Sequence, residues 1–473
     1  MSQSQKKAIL WNTIGKLSSQ ALSIVVSLIV ARLLLPSDYG LIAILTVFIA
    51  IAEALLDSGF ENALVQKSDR TNVDFSTVFY FNVTVSATLY LILFFAAIPI
   101  SHFYNEPQLI EVTRIYALIV IIQGLAIVQR TKLMISLRFK EFTQINLIAV
   151  CISGFLGITL AWHGMGVYAL LCQNISMQLL CTMGLWFKVK WKPDLVFSTD
   201  SFKQLFSFGS KLLISGMMHR IYTNLYSLII GKFYAVADVG FFTKANSLSK
   251  LPSVQFTTII TQVSYPALCD LQNDDEKLKK QFYKYLRLNC FVVFPAMVIL
   301  ASISKPLISV VLTERWLDMV PYMQILCIAY MFEPIQRFNW YILNVKGRSD
   351  LSLSSEVIKK SIAIFLLIIA LQFGVIYICY SILLYSIIDI VITIYFVKKV
   401  LPWGYWDEFK QIYPYLIASV ISGVEILLIN SMVSNCWTQL VVGILGVVTY
   451  WLICRLYKCR ECNIIYEIKH LKS

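Results

Sequence analysis

The sequence predicts an all-α polytopic membrane protein of about fourteen spans, and three observations carry that reading. The chain is 58% hydrophobic and only 14% charged, with a mean hydropathy of +0.71. A soluble fold this apolar could not clothe its surface, because ordinary proteins already run short of polar groups. The apolar residues fall in blocks of roughly 20, the length at which a helix crosses about 30 Å of hydrocarbon. They lack the polar/apolar alternation of a membrane barrel. Net charge is +13, from 40 Lys and Arg against 27 Asp and Glu. The bases cluster between the blocks, so they read as a positive-inside signal rather than a nucleic-acid surface.

The spans expected in order are 14–35, 41–63, 76–99, 113–134, 144–162, 166–187, 209–231, 248–269, 286–303, 319–341, 355–373, 375–397, 412–430 and 436–455. The stretch before residue 35 is too long for a cleaved leader and no small-residue cleavage site follows it, so it reads as a retained span. Two pairs are separated only by the short connections Trp162–Gly164 and Gln372–Gly374. Charge keeps them separate. With the N-terminus inside, the inner segments hold Lys6/Lys7, Arg130/Lys132/Arg138/Lys140, Lys188/Lys190/Lys192, Lys277/Lys279/Lys280 and the basic tail from Arg455. The opposite loops are poorer in bases, which predicts an N-in, C-in topology and an even span number. Two segments, 202–208 and 278–286, have the pattern of amphipathic surface helices leading into the next span.

One internal repeat is visible. Ser27–Gly40 aligns without gaps on Ser227–Gly240, pairing Arg32 with Lys232, Asp38 with Asp238 and Gly40 with Gly240. Each copy ends one helix on a basic residue and turns through Asp-x-Gly into the next. An even number of spans separates the copies, so the repeat is parallel, with an axis along the membrane normal. The expected division is an N-lobe at 1–195, a C-lobe at 196–400, and two accessory helices with a basic tail at 401–473. Two six-helix lobes of this kind suit alternating access around a central cavity.

A charge inside hydrocarbon costs roughly 2.5 to 3.5 kcal/mol on insertion scales, so each needs a reason. Asn12, Lys16, Ser19, Gln20, Ser23 and Ser27 recur at helical spacing along the first span. Lys211, Ser215, His219, Arg220, Thr223 and Ser227 do the same along the seventh. Both opening helices therefore present a polar stripe to a shared wet cavity. Glu53 and Asp57 lie one turn apart in the second span, and Glu333 and Arg337 lie one turn apart in the tenth. Plainer readings stand beside these. Lys16, Lys211 and Asp57 sit near inner ends, where snorkelling explains them. Glu333 with Arg337 fits a structural i,i+4 pair, and His219 fits a polar packing residue. Arg220 and Glu53 are the hardest to dismiss, being deep and unpaired within their own helices. Lys16, Lys211 and Arg220, with His219 and Arg337, are the candidate cargo ligands, the cations pointing to phosphate. Glu53, Asp57 and Glu333 are the candidates for binding a coupling cation or proton.

No ATP-binding loop is complete, since Gly15-Lys16-Leu17 lacks the upstream Gly and the Ser or Thr. Neither HExxH nor GxSxG occurs, so an enzyme is not expected. The 11 cysteines are scattered, and Cys459-Arg-Glu-Cys462 alone falls short of the four ligands of a metal site. Free thiols, no metal and no cofactor are the expectation.

Several stretches carry a family resemblance. Ala31-Arg-Leu-Leu-Leu-Pro-Ser-Asp-Tyr-Gly40 resembles the end of the first helix of bacterial polysaccharide-transport proteins. Ser227–Lys232, continuing through Asp238–Asn246 to Leu251-Pro252, is similar to their mid-chain motif. Leu56–Phe60, Tyr265–Leu268 and Lys346–Leu351 resemble further parts, while the last two spans match none. Phe241-Phe-Thr-Lys244 departs from the Tyr-Tyr-x-Arg usual at that place. The resemblance is to oligosaccharide flippases of the Wzx type, from the colanic-acid and capsule-exporter branch of the MOP/MATE superfamily. It implies a MATE-like fold in the bacterial inner membrane and, as cargo, an undecaprenyl-pyrophosphate-linked repeat unit carried to the periplasmic leaflet. Polysaccharide polymerase and export proteins are implied partners. A MATE-like exporter of small organic cations is the alternative, and it predicts a cavity dominated by acids. A scaffold for polymerase and export partners, with transport incidental, is a third reading.

Overall fold

The computed structural model describes residues 3–57, 59–457, 459 and 461–462. The side chains of 3–14, 16–17, 57, 208–212, 214–216 and 219 lie outside that description, and with them the expected site residues Lys16, Asp57, Lys211 and His219.

Among the described residues the chain is helical with no strand. Contacts divide it into two compact units, Met1–Gly240 and Phe241–Ser473. Among the described residues eight helices are long and apolar enough to cross a membrane, or nine with a bent pair taken as one span, so the chain is a multi-pass membrane protein.

The first unit comprises α1 (Gln3–Leu33), α2 (Pro36–Asp57), α3 (Phe60–Gln66), α4 (Asn72–Tyr104), α5 (Leu109–Tyr116), α6 (Leu118–Gly124), α7 (Ile127–Ile135), α8 (Phe139–Trp162), α9 (Val167–Val189), α10 (Thr199–Phe233) and the first turn of α11 (Val236–Cys269). Helix α1 packs on α8, and α8 on α9. Small residues bring them together: a methyl group at Gly154 would fall 2.7 Å from the Val26 side chain, and one at Gly184 the same distance from Ile145. Lipid chains are as apolar as Leu, so close backbone approach rather than the hydrophobic effect gives such contacts their energy. Helix α4 opens with a capping box, in which the Asp74 carboxylate accepts from the Thr71 amide at 2.8 Å and Lys67 pairs with Asp74 at 3.0 Å. Phe60, Leu64, Phe75, Val78, Val128 and Leu205 form an inner core where α3, α4, α7 and α10 meet.

The second unit comprises the rest of α11, then α12 (Asp275–Ser302), α13 (Ser304–Val311), a 3-10 turn at Glu314–Met319, α14 (Val320–Met331), α15 (Glu333–Val345), α16 (Ser349–Ala370), α17 (Val375–Lys398), α18 (Tyr405–Met432) and α19 (Cys436–Leu456). Helix α18 lies along α12, where a methyl group at Gly423 would come 2.4 Å from Val298.

The expected spans fall on helix, of which eight or nine among the described residues have the length and apolarity of a span, and three expected spans are interrupted. The second breaks between α2 and α3, the fourth into α5, α6 and α7, and the tenth between α14 and α15 at Glu333. Apolarity is continuous through these breaks, so span length alone did not reveal them. Both doubtful connections are turns: Gly164 and Gly374 hold φ of +76° and +120°, a region open mainly to glycine. The two expected surface helices are instead the first turns of α10 and α12. Leu278, Phe282, Tyr283 and Leu286 of the second are buried, so packing rather than an interface takes up their apolar face. Helix α10 packs against α2, α3 and α4, within the first unit.

Candidate functional site

A polar cavity lies inside the first unit. It spans about 740 Å³, including space open to solvent, and its described lining sets Glu53, Gln123, Arg130, Asn146, Gln178 and Arg220 among apolar residues such as Leu56, Ile127, Phe142 and Leu185. Six helices supply these groups, which is why no single segment of sequence displays the site. Helix α2 presents Glu53, α6 Gln123, α7 Arg130, α8 Asn146, α9 Gln178 and α10 Arg220.

Its centre is an ion pair. Arg220 Nη1 donates to Glu53 Oε2 at 2.8 Å, and Gln123 Nε2 donates to Glu53 Oε1 at 2.7 Å. The two deep charges are thus partners across α2 and α10. Each answers the desolvation cost of the other, while both stay about a third exposed to the cavity. Arg130 stands on the same wall and grips Glu61 of α3 in a two-point fork, through Nε and through Nη2. Cys181 donates its thiol to Asn146 Oδ1 at 3.2 Å. The described lining thus carries two guanidiniums and one carboxylate, alongside uncharged amides.

Of the expected residues, Glu53 and Arg220 come together here; the side chains of Lys16, Asp57, Lys211 and His219 are undescribed. Gln123, Arg130, Asn146 and Gln178 were not expected. Arg130, an inner-side base at the end of the expected span 113–134, lies on α7 and lines the cavity. Glu333 and Arg337 pair within α15, with Nη2 to Oε1 at 2.5 Å, as the i,i+4 spacing allows. A buried pair lies in the same unit: Lys359 of α16 meets Asp389 of α17 at 3.1 Å and Glu356 at 2.6 Å, and Thr393 donates to Asp389. Among the described residues no three metal-ligating side chains cluster.

The repeated turns also meet, inside the first unit. Gly40 lies against the carbonyl of Val236, and Gly240 against the carbonyl of Pro36. Asp38 holds its turn closed by accepting from the Leu35 amide at 3.0 Å. Lys232 donates to the Phe103 carbonyl at 2.5 Å, beside an apolar groove lined by Phe48, Ile100, Tyr104, Leu225 and Ile229.

A family model described as "Polysaccharide biosynthesis protein" matches residues 29–321, more than half of the chain. The chain belongs to this family. Among curated relatives of this polysaccharide biosynthesis protein, the lipopolysaccharide biosynthesis protein WzxC of Escherichia coli is 26% identical over 88% of the chain and 86% of its own length. The teichuronic acid biosynthesis protein TuaB of Bacillus subtilis is 27% identical over 64% of the chain, and the match spans 63% of TuaB. Among solved structures, the lipid II flippase MurJ in an inward closed conformation superposes with a TM-score of 0.77 at 15% identity, over 95% of this chain and 98% of MurJ. That likeness establishes the fold.

Proposed function

We propose that the protein is a flippase that carries an undecaprenyl-pyrophosphate-linked oligosaccharide from the cytoplasmic to the periplasmic leaflet of the bacterial inner membrane. The observation that carries this reading is the polar, guanidinium-bearing cavity inside a multi-pass helical membrane protein of the polysaccharide biosynthesis family. Arg130 and Arg220 suit a pyrophosphate because guanidinium forks match phosphate oxygens. The protein acts as a transporter and not as an enzyme.

Fourteen spans, N-in and C-in, arranged as lobes at 1–195 and 196–400 with accessory helices at 401–473, belong to this reading. So does alternating access with the turns at Arg32–Gly40 and Lys232–Gly240 acting as gates. Lys16, Lys211, His219 and Arg337 add to the cargo site, and Asp57 and Glu333 are candidates for the coupling ion. Glu53 takes part as Arg220's partner: anionic cargo competes for the guanidinium, and the released carboxylate becomes free to take the coupling cation or proton. No ATP is required, and polymerase and export proteins receive the product.

The alternative, export of small organic cations, calls for an acid-dominated cavity. The described lining instead holds one carboxylate against two guanidiniums. The deciding experiment reconstitutes the protein in liposomes and follows the accessibility of an undecaprenyl-pyrophosphate oligosaccharide across the bilayer. Protein-dependent movement that is lost in Arg130→Ala supports the flippase. Uptake of an organic cation with no lipid movement would replace it with the exporter.

A further inference from the structure

Outside the cavity, in the second unit, Glu408 is buried with no cation paired to it among the described residues. Glu408, in the first turn of α18, is 1% exposed, and its partner Asn339 of α15 is 0% exposed. Asn339 Nδ2 uses both its hydrogens, donating to the Ile335 carbonyl at 3.0 Å and to Glu408 Oε2 at 2.7 Å. Those two acceptors fix the amide orientation, because a flip would set oxygen against oxygen. The remaining oxygens, Glu408 Oε1 and Asn339 Oδ1, are both buried and both without a donor. Two orphan acceptors on one bonded pair are costly, and an ionised carboxylate buried on a single hydrogen bond costs more still. A proton on Oε1 would turn that acceptor into a donor, the group the amide oxygen lacks, while Oε2 goes on accepting from the amide nitrogen.

The surroundings favour the neutral form. The titratable groups around Glu408 are Asp407 and Tyr405 on its own helix and Tyr283 and Cys290 of α12, none of them cationic. The nearby cations are engaged elsewhere. Arg287 of α12 bonds to Glu461 and Gln411, Lys398 of α17 lies over the Tyr405 ring, and Lys279 lies over the Trp403 ring. Arg337 of α15 is paired with Glu333.

We infer that Glu408 is a proton-binding site, protonated at neutral pH while Asn339 of α15 stays hydrogen-bonded to it. The inference goes beyond the flippase reading and does not depend on the cargo. Its consequence is that any movement hydrating the Asn339–Glu408 contact releases a proton.

Glu408→Gln tests this, because a glutamine amide reproduces the hydrogen-bond pattern of the protonated acid. The infrared spectrum of the purified protein at pH 7 is expected to lose a protonated-carboxyl C=O band in Glu408→Gln. Loss of carboxylate bands alone overturns the inference. Thermal unfolding supplies a second readout. The folded wild type holds a proton that the unfolded chain gives up above about pH 4.3, so its stability declines as pH rises. The advantage of Glu408→Gln over wild type should therefore widen between pH 5 and pH 8; a pH-independent difference overturns the inference. If Gln at 408 prevents folding, the wild-type band is followed in Asn339→Ala. There it should shift, because the acid loses its amide partner, and an unmoved band counts against the assignment.

Discussion

Gly40 packs its α-carbon directly against the carbonyl oxygen of Val236, so that an added methyl group would lie 1.9 Å away. Gly240 repeats the contact on Pro36 at the same 1.9 Å. The two pairs are one relation read twice, since residue 236 is the repeat counterpart of residue 36 and residue 240 that of residue 40. A contact from i to j together with its counterpart from j to i is the mark of two-fold packing. It places the duplicated turns, and not only the duplicated sequence, in symmetric contact.

Ala at either glycine must therefore displace backbone rather than a flexible side chain. Gly40→Ala or Gly240→Ala is expected to destabilise the closed turn pair by about 1–3 kcal/mol, the usual cost of overpacking. Because they share one interface, the double variant should cost less than the sum of the singles. Thermal unfolding of all three variants checks this, and additive losses would mean the contacts act independently. In the flippase assay, a loss of transport greater than the loss of folded protein would identify the turn pair as a moving part.

Charge exchange across α2 and α10 tests the pair at the centre of the cavity. Arg220→Ala leaves Glu53, among the described residues, with Gln123 as its donor, and transport is expected to fall at least tenfold. Glu53→Arg combined with Arg220→Glu should recover part of it if the pair matters as a pair. No recovery, with the single Glu53→Gln variant still active, would assign the function to the guanidinium alone.

The Lys359–Asp389 contact is expected to be a stability element. Lys359→Met leaves Asp389 buried without its cation, and breaking a buried pair costs about 3–5 kcal/mol. Lys359→Met with Asp389→Leu should restore most of that loss. Chemical or thermal unfolding in detergent reads both, and equal losses for the single and double variants would refute the pairing.

Cys181 gives direct access to the cavity wall. In a variant retaining only this cysteine, a membrane-permeant thiol reagent should label it, and lipid-linked oligosaccharide should slow the labelling several-fold. Labelling unaffected by cargo would place the cargo elsewhere.

Composition and block length settled the all-helical membrane class, because roughly 20 apolar residues in a row leave a chain few folds in which its backbone groups are satisfied. Gly164 and Gly374, read as short connections, turned out to be true turns, and the gapless alignment of 27–40 on 227–240 anticipated turns of the same shape. The Glu333–Arg337 pair was legible because one helix fixes the geometry of residues four apart. The Glu53–Arg220 pair was not, since 167 positions separate the two residues and only the packing of α10 on α2 decides that they meet. That Arg130 lines the cavity was hidden for the same reason: its helix is a short piece whose direction depends on neighbouring helices. The proton site at Glu408 was invisible for a further reason, because an acid near a helix start reads as a favourable first-turn charge. Only burial by α12 and α15 removes it from water. Local sequence thus determined what each helix is, while long-range packing decided which charges face one another and which are cut off from solvent.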